Sequence, residues 1–355
     1  MAPKKILIRC DSSALIGSGH VMRCLSLADK LAELGHSIEF ASRELSYNTN
    51  TAITKKQYKL HSLQAPATPL VPTTDVLSWL EVPLAQELNE IEAVVKSAKP
   101  DWVIVDHYAL GNSWEDSVLK RAPRLLVIDD LFRSHSCTHL LDPNYHPDHA
   151  QLWRHKFSRA PQLFLGPEFA LLPKHIAALP AHKFSNSVTS ILAFFGGSDS
   201  GDASEIFIRA WSDLALTGIK ATLVIGASNP RAPELLKANS ASLEVLQSPN
   251  NFHARLSRAD LFISAAGSTT WERSYLGVPG LVVTIAENQL PIAKNLHDLD
   301  IHEYAGAVQD LTPKAFAQKI GDLVRDSGRR QMFHEKSNCL HVGAKVQALI
   351  DQFSL

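Results

Sequence analysis

Short apolar runs recur along this chain, and each stops at a glycine or a polar side chain before a segment of helical periodicity begins. Residues 5–9, 38–41, 102–106, 125–128, 190–195, 221–225, 261–264 and 280–284 are such runs. A strand covered on both faces reads as near-continuous apolar sequence, and strands that alternate with helices demand a mostly parallel sheet. Leu25, Leu27, Ala28, Leu31 and Leu34 form the apolar stripe of a helix over about residues 21–34, with Gly35 placed to cap it. Further helices are expected over 84–99, 114–121, 204–214 and 267–276, and helical segments from there to residue 355.

A chain of 355 residues exceeds most single hydrophobic cores. Near residues 171–187 the composition shifts to Pro173, Pro180 and a Lys/His/Ser/Asn run, which reads as an interdomain linker. The expected architecture is α/β: two Rossmann-like domains with parallel sheets, over residues 1–175 and 188–355. Ligand crevices in such sheets lie past the carboxyl ends of the strands. Short strands at 140–141 and 243–246 fit the series, whereas residues 44–75 carry a poor pattern and read as an irregular excursion.

Charge narrows the partners. With 35 basic and 36 acidic residues the net charge is −1, without the basic excess of an extended nucleic-acid or membrane-surface footprint. No stretch approaches the ~20 apolar residues of a membrane span, and the apolar run 6–8 is too short for a signal-peptide core. The expectation is a cytoplasmic protein with no membrane insertion, no nucleic-acid partner and no obligate protein partner. Cys10, Cys24, Cys137 and Cys339 form no C-x-x-C pair and read as free thiols.

Polar clusters fall just past the expected strand ends. Asp11 and then Gly17, Ser18, Gly19 and His20 precede the first long helix. Glycines permit close backbone approach, helix N-terminal N–H groups attract anions, and a positive helix end favours a neutral imidazole able to act as a base. The competing reading is a helix-start histidine that only hydrogen-bonds its loop. Asp106, His107 and Tyr108 follow the next strand, and Asp129 and Asp130 the one after; such carboxylates either orient a histidine, hold a sugar hydroxyl or cap a turn. Gly196, Gly197 and Ser198 suit a loop whose amides face a diphosphate, or a simple tight turn. Gly267, Ser268 and Thr269 open a helix with Glu272 one turn in: N–H groups and hydroxyls for phosphate and a carboxylate for ribose, or a cap and a first-turn acid. Asn288 and Gln289 offer side-chain amides to sugar groups, or make a polar turn. His135, His139, His146, His149 and His155 show no helical metal pair and read as a solvated connection, so neither a metal nor a cofactor is assigned.

Taken in order, these clusters resemble a known family. Arg9-Cys10-Asp11, Ile16-Gly17-Ser18-Gly19-His20-Val21-Met22-Arg23-Cys24-Leu25, Val105-Asp106-His107-Tyr108, Ile128-Asp129-Asp130-Leu131, Phe195-Gly196-Gly197-Ser198-Asp199, Gly267-Ser268-Thr269-Thr270-Trp271-Glu272-Arg273 and Asn288-Gln289 are similar to motifs of the UDP-2,4-diacetamido-2,4,6-trideoxy-β-L-altropyranose hydrolases of pseudaminic acid biosynthesis. The resemblance runs to about residue 310 and implies a GT-B architecture with an interdomain cleft. It implies UDP on the second domain, with Glu272 on the ribose, the glycine loops on the diphosphate, and Asn288 and Gln289 near the sugar or diphosphate. It also implies His20 as the catalytic residue, no metal, and a product destined for a flagellar or other bacterial surface glycan. Glu81 stands where the family pattern leads one to expect glycine.

The expected reaction follows from the leaving group. UDP departs as a stabilised anion and needs positive potential rather than a proton, so one base suffices. His20 takes a proton from water, the water attacks the anomeric carbon with inversion, and Asp11 is the expected partner that orients His20. Two alternatives share the sequence: a GT-B glycosyltransferase with an acceptor hydroxyl in place of water, and a nucleotide-sugar binding protein without catalysis.

Overall fold

The computed structural model describes residues 2–67, 75–214 and 216–355. The chain forms two compact units, residues 1–171 with 343–355, and residues 172–342. In the first, strands β1 (Lys5–Cys10), β2 (Ser37–Arg43), β3 (Lys59–Leu63), β4 (Trp102–Asp106), β5 (Arg124–Ile128), β6 (His139–Asp142) and β7 (Gln162–Leu165) form a seven-stranded sheet, ordered β3-β2-β1-β4-β5-β6-β7 and parallel throughout. In the second, β8 (Ser190–Phe194), β9 (Lys220–Ile225), β10 (Leu243–Gln247), β11 (Leu261–Ala265), β12 (Gly280–Thr284) and β13 (Glu303–Ala307) form a parallel sheet ordered β10-β9-β8-β11-β12-β13.

Burial explains these elements. β4 is buried along its whole length, as are β11 and β12. Alternation sends successive side chains to opposite faces. On one face of the first sheet Ile6, Ile8, Cys10 and Ile104 pack with Val21, Cys24 and Leu25 of the Gly19–Glu33 helix. On the other, Leu7, Val103 and Val105 pack with Ile91 and Val95 of the Leu84–Ala98 helix.

The structure corrects several expectations. Residues 44–75 are not an irregular excursion: they contain the Asn50–Lys55 helix and β3, while 68–74 lie outside the described residues. The expected linker is docked in the second unit, where Ile176 is buried against Leu192, Leu256 and Phe262, and the His182 N–H donates to the Leu276 carbonyl at 3.1 Å. Residues 343–355, expected in the second domain, pack with the first unit: Val346, Leu349, Ile350 and Phe353 join the core around β1, and Phe353 lies 4.2 Å from the Trp102 ring. β13 interrupts the tail expected to be helical. Glu81 adopts φ +56°, the left-handed region that favours glycine, which is the physical reason a glycine suits that position. Among the described residues no helix is long and apolar enough to cross a membrane.

Candidate active site

His20 lies in the first turn of the Gly19–Glu33 helix and is buried. Before it, the Ser13 hydroxyl accepts from the N–H groups of Leu15 and Ile16, and the Gly17 N–H donates to the Ser13 carbonyl at 2.9 Å. This tight loop brings the helix start over the end of β4. There His20 Nδ1 lies 2.5 Å from Asp106 Oδ1. Arg23, one helical turn on, donates from Nε to Asp106 Oδ2 at 2.5 Å and from Nη2 to Oδ1 at 2.6 Å. Burial opposes the Asp106 charge, but Arg23 and His20 outweigh it and hold the carboxyl well below the usual range. An ionised Asp106 can only accept, so the hydrogen of this contact is on His20 Nδ1, and Nε2 takes no part in it. The Tyr108 ring meets His20 edge-on at 4.7 Å, and the Trp79 ring lies at 6.5 Å.

The expected orienting role of Asp11 is not what the structure shows. Asp11 points to the opposite face of the sheet, where it accepts from Arg9 Nη1 at 2.5 Å and from the Arg43 backbone N–H at 2.7 Å. Burial resists its charge, yet Arg9 and His107 hold it well below the usual carboxylate range. Glu87 completes this buried network, accepting from Arg9 Nε at 2.8 Å and Arg43 Nη2 at 2.5 Å. His107 joins the same network, its Nε2 3.2 Å from Asp11 Oδ2, and burial pushes its ring below the usual value. Of the cluster read after β4, Asp106 and Tyr108 therefore stand at His20, and His107 does not.

Tyr108 Oη donates to Asp130 Oδ1 at 2.6 Å, and Asn144 Nδ2 donates to Asp130 Oδ2 at 2.7 Å. Burial pushes the Asp130 carboxyl up to about 6, with the charges of Asp142 and Asp129 adding to it against Arg23. Asp129 is structural: it accepts from Arg133 Nε at 2.8 Å and the Leu131 N–H at 2.8 Å.

In the second unit the glycine loops follow neighbouring strands, since β8 pairs with β11. Gly196 adopts φ +93°, and its neighbour Gly197 accepts the Ser228 N–H at 3.0 Å. A Cβ on Gly226 would come within 2.2 Å of the Gly197 carbonyl oxygen, so this strand end also requires glycine. Asp199, just past Ser198, accepts from the Ala203 and Ser204 N–H groups at 2.9 Å and so anchors the Ala203–Asp213 helix. After β11, a Cβ on Gly267 would meet nothing within 4 Å, Ser268 makes no side-chain cap, and Thr269 begins the Thr269–Leu276 helix. Glu272 Oε2 lies 3.1 Å from His253 Nε2, and His253 Nδ1 lies 2.7 Å from His175 Nε2. Asn288 is half-buried, and Gln289 Oε1 accepts the Ile285 N–H at 3.0 Å, which leaves the Gln289 amide nitrogen as its donor.

Sequence reasoning missed three partners. Arg23 lies at i+3 from His20, a spacing that places both on one helix face and points to it. Asn144 and His253 carry no local signal; only the fold brings them to Asp130 and Glu272.

A family model described as the glycosyltransferase family 28 C-terminal domain matches residues 191–352. The crystal structure of MurG from Acinetobacter baumannii superposes with a TM-score of 0.64 at 14% identity, covering 99% of each chain. The fold is GT-B. Among curated proteins, uncharacterized protein MJ1062 of Methanocaldococcus jannaschii is 25% identical over 304 residues, 81% of this chain and 56% of that one. The UDP-2,4-diacetamido-2,4,6-trideoxy-β-L-altropyranose hydrolase of Campylobacter jejuni is 27% identical over 141 residues, 39% of this chain and 42% of that protein. The chain thus spans about half the length of the curated relatives it matches. In this GT-B chain the glycine loops of the second unit fall within the matched residues, and His20 and Asp106 lie outside them.

Proposed function

We propose that this GT-B chain breaks the bond between UDP and the anomeric carbon of a UDP-sugar, with His20 as base and Asp106 as the residue that orients it. The observation that carries the reading is the buried 2.5 Å contact between His20 Nδ1 and Asp106 Oδ1, which leaves Nε2 to take a proton from an oxygen nucleophile. As that oxygen bonds to the anomeric carbon, the C–O bond to the β-phosphate breaks and its electron pair leaves with UDP. The backbone N–H groups of the loops at 196–198 and 267–269 supply positive potential to the departing diphosphate, and Glu272 binds the ribose hydroxyls. Attack opposite the leaving group inverts the anomeric carbon, and no second carboxylic acid is needed.

Two acceptors have support from different observations. A hydroxyl acceptor, which makes the chain a glycosyltransferase, has the broader support: the family 28 match over residues 191–352 and the fold shared with MurG. Water, which makes it a hydrolase of the diacetamido-trideoxy-altrose nucleotide, is supported by the ordered motifs from Arg9 to Gln289 and by the Campylobacter hydrolase. The test is UDP release from that nucleotide in ¹⁸O-labelled water with no acceptor present. Label in the free sugar and none in UDP establishes water attack at carbon. Label in UDP means attack at phosphorus and removes His20 from its role. Binding without release directs the search to hydroxyl acceptors, and a later failure of every acceptor sinks the catalytic reading.

A further inference from the structure

The histidines after β6, expected to be a solvated connection, are instead gathered around a buried carboxylate. Asp142 ends β6 and is fully buried, His146 is buried, and His149 opens the short His149–Leu152 helix. One donor atom from each of these side chains lies within 4.8 Å of the other two. We propose that Asp142, His146 and His149 form a site for a zinc-class divalent ion, contributed by one D-x-x-x-H-x-x-H segment of the first unit.

Donor chemistry supports this choice of ion. Two imidazoles and one carboxylate suit zinc, cobalt or nickel, whereas magnesium and calcium prefer all-oxygen sets. Three protein ligands leave a tetrahedral ion one position for water or another donor. The carboxylate is held in place by groups outside the triad. Trp153 Nε1 donates to Asp142 Oδ2 at 3.0 Å, and the Asn144 N–H donates to Oδ1 at 3.0 Å. Such outer contacts are what orients a metal-binding carboxylate. The Phe132 ring stands edge-on to His146 at 4.8 Å and to His149 at 6.2 Å, which shields the imidazoles on one side. His149 Nε2 sits 2.6 Å from Asp142 Oδ2, so without an ion the pair closes as a hydrogen bond. An ion inserted there widens that contact and draws in His146.

The site has a route to the candidate active site. Asn144 lies between the ligands in sequence and donates to Asp130, which accepts from Tyr108, whose ring borders His20. An ion that pins residues 142–149 therefore fixes the loop that positions Asn144. The site needs no assumption about the acceptor or about catalysis, and its test is independent of both.

The experiment titrates cobalt(II) alone into the chelator-stripped full chain. A Cys339→Ser background removes the exposed thiol that offers a rival ligand. The expected result is saturable binding of one ion per chain. It is accompanied by the intense visible absorption of four- or five-coordinate cobalt, bleached by zinc(II), and by a raised unfolding temperature. His149→Ala and His146→Phe, the latter keeping a ring against Phe132, each weaken binding by about tenfold or more and abolish the intense band. Weak octahedral absorption only, no saturable binding, or equal affinity in a folded His146→Phe chain overturns the proposal. Circular dichroism checks the fold of each variant, and His146→Phe decides if His149→Ala unfolds.

Discussion

The substitution Asp106→Asn is the sharpest test of the His20 assignment, because it changes one atom at the centre of the dyad. Asp106 Oδ1 receives both His20 Nδ1, at 2.5 Å, and Arg23 Nη2, at 2.6 Å, while Oδ2 receives Arg23 Nε at 2.5 Å. An amide has one accepting oxygen and one donating nitrogen. If its NH2 turns to His20, it donates to Nδ1, the ring proton moves to Nε2, and the base is lost. If its NH2 turns to Arg23 Nε, two donors face each other, and the imidazolium formed during reaction loses its counter-charge. Either orientation removes most of what a general base contributes, about 10²–10⁴-fold in rate. That range is about 3–6 kcal/mol of transition-state stabilisation at ~1.4 kcal/mol per decade. UDP-release kinetics on the nucleotide-sugar that the wild type turns over should show the loss in kcat. The Kd for UDP should hold, since the proposed nucleotide groups are untouched. Arg23 loses its charged partner, so the assay is run well below the unfolding temperature and normalised to folded protein. A folded variant with kcat within about fivefold of wild type, against the 10²-fold minimum, would refute the dyad.

Asp11→Asn should behave in the opposite way: a buried network of Arg9, Arg43 and Glu87 loses a charge, with a cost of about 3–5 kcal/mol in urea unfolding, and kcat per folded molecule stays near wild type. A rate loss like that of Asp106→Asn would return the orienting role to Asp11. Glu272→Gln should weaken UDP about 10- to 100-fold by calorimetry, through a lost charged hydrogen bond, and should weaken 2′-deoxy-UDP less; equal losses on both nucleotides contradict a ribose contact. Gly226→Ala pushes a methyl to within 2.2 Å of the Gly197 carbonyl and should displace the glycine loop, raising the UDP Kd about tenfold or more; unchanged affinity argues that this loop does not hold the diphosphate. His135 is pulled down by burial, but Asp129 and Glu115 outweigh this and push it up to about 9. A raised folded value stabilises below the unfolded value of 6.5 and loses that stabilisation as pH rises through 9, so the urea midpoint should fall between these limits, and His135→Gln should flatten that fall.

Which strands were legible in the sequence depends on where they sit. β1, β4, β8, β11 and β12 are interior strands, and their sequences are apolar but for a few polar residues such as Arg9, Asp106 and Ser264. β3, β7 and β13 went unread because they are edge strands whose sequences, KLHSL, QLFL and EYAGA, mix polar or small residues into a half-exposed pattern. The attachment of residues 343–355 to the first unit left no trace in local periodicity, since helical spacing says which face is apolar and not what covers it.

The exchange of Asp11 for Asp106 has a reason in parity. The register pairs Cys10 with Asp106 across β1 and β4. Aligned partners on parallel neighbours share a face, and the next residue along each strand turns to the other. Cys10 and Asp106 thus face the Gly19–Glu33 helix, where Cys24 Sγ lies 3.6 Å from Asp106 Oδ2, whereas Arg9, Asp11 and His107 face Glu87 on the far side. His20 belongs to the helix on the near face, so only a carboxylate of the Cys10 parity can reach it. Residue types at strand ends nominate candidates for a site; the face each candidate occupies, fixed by strand alternation and register, decides which of them can meet.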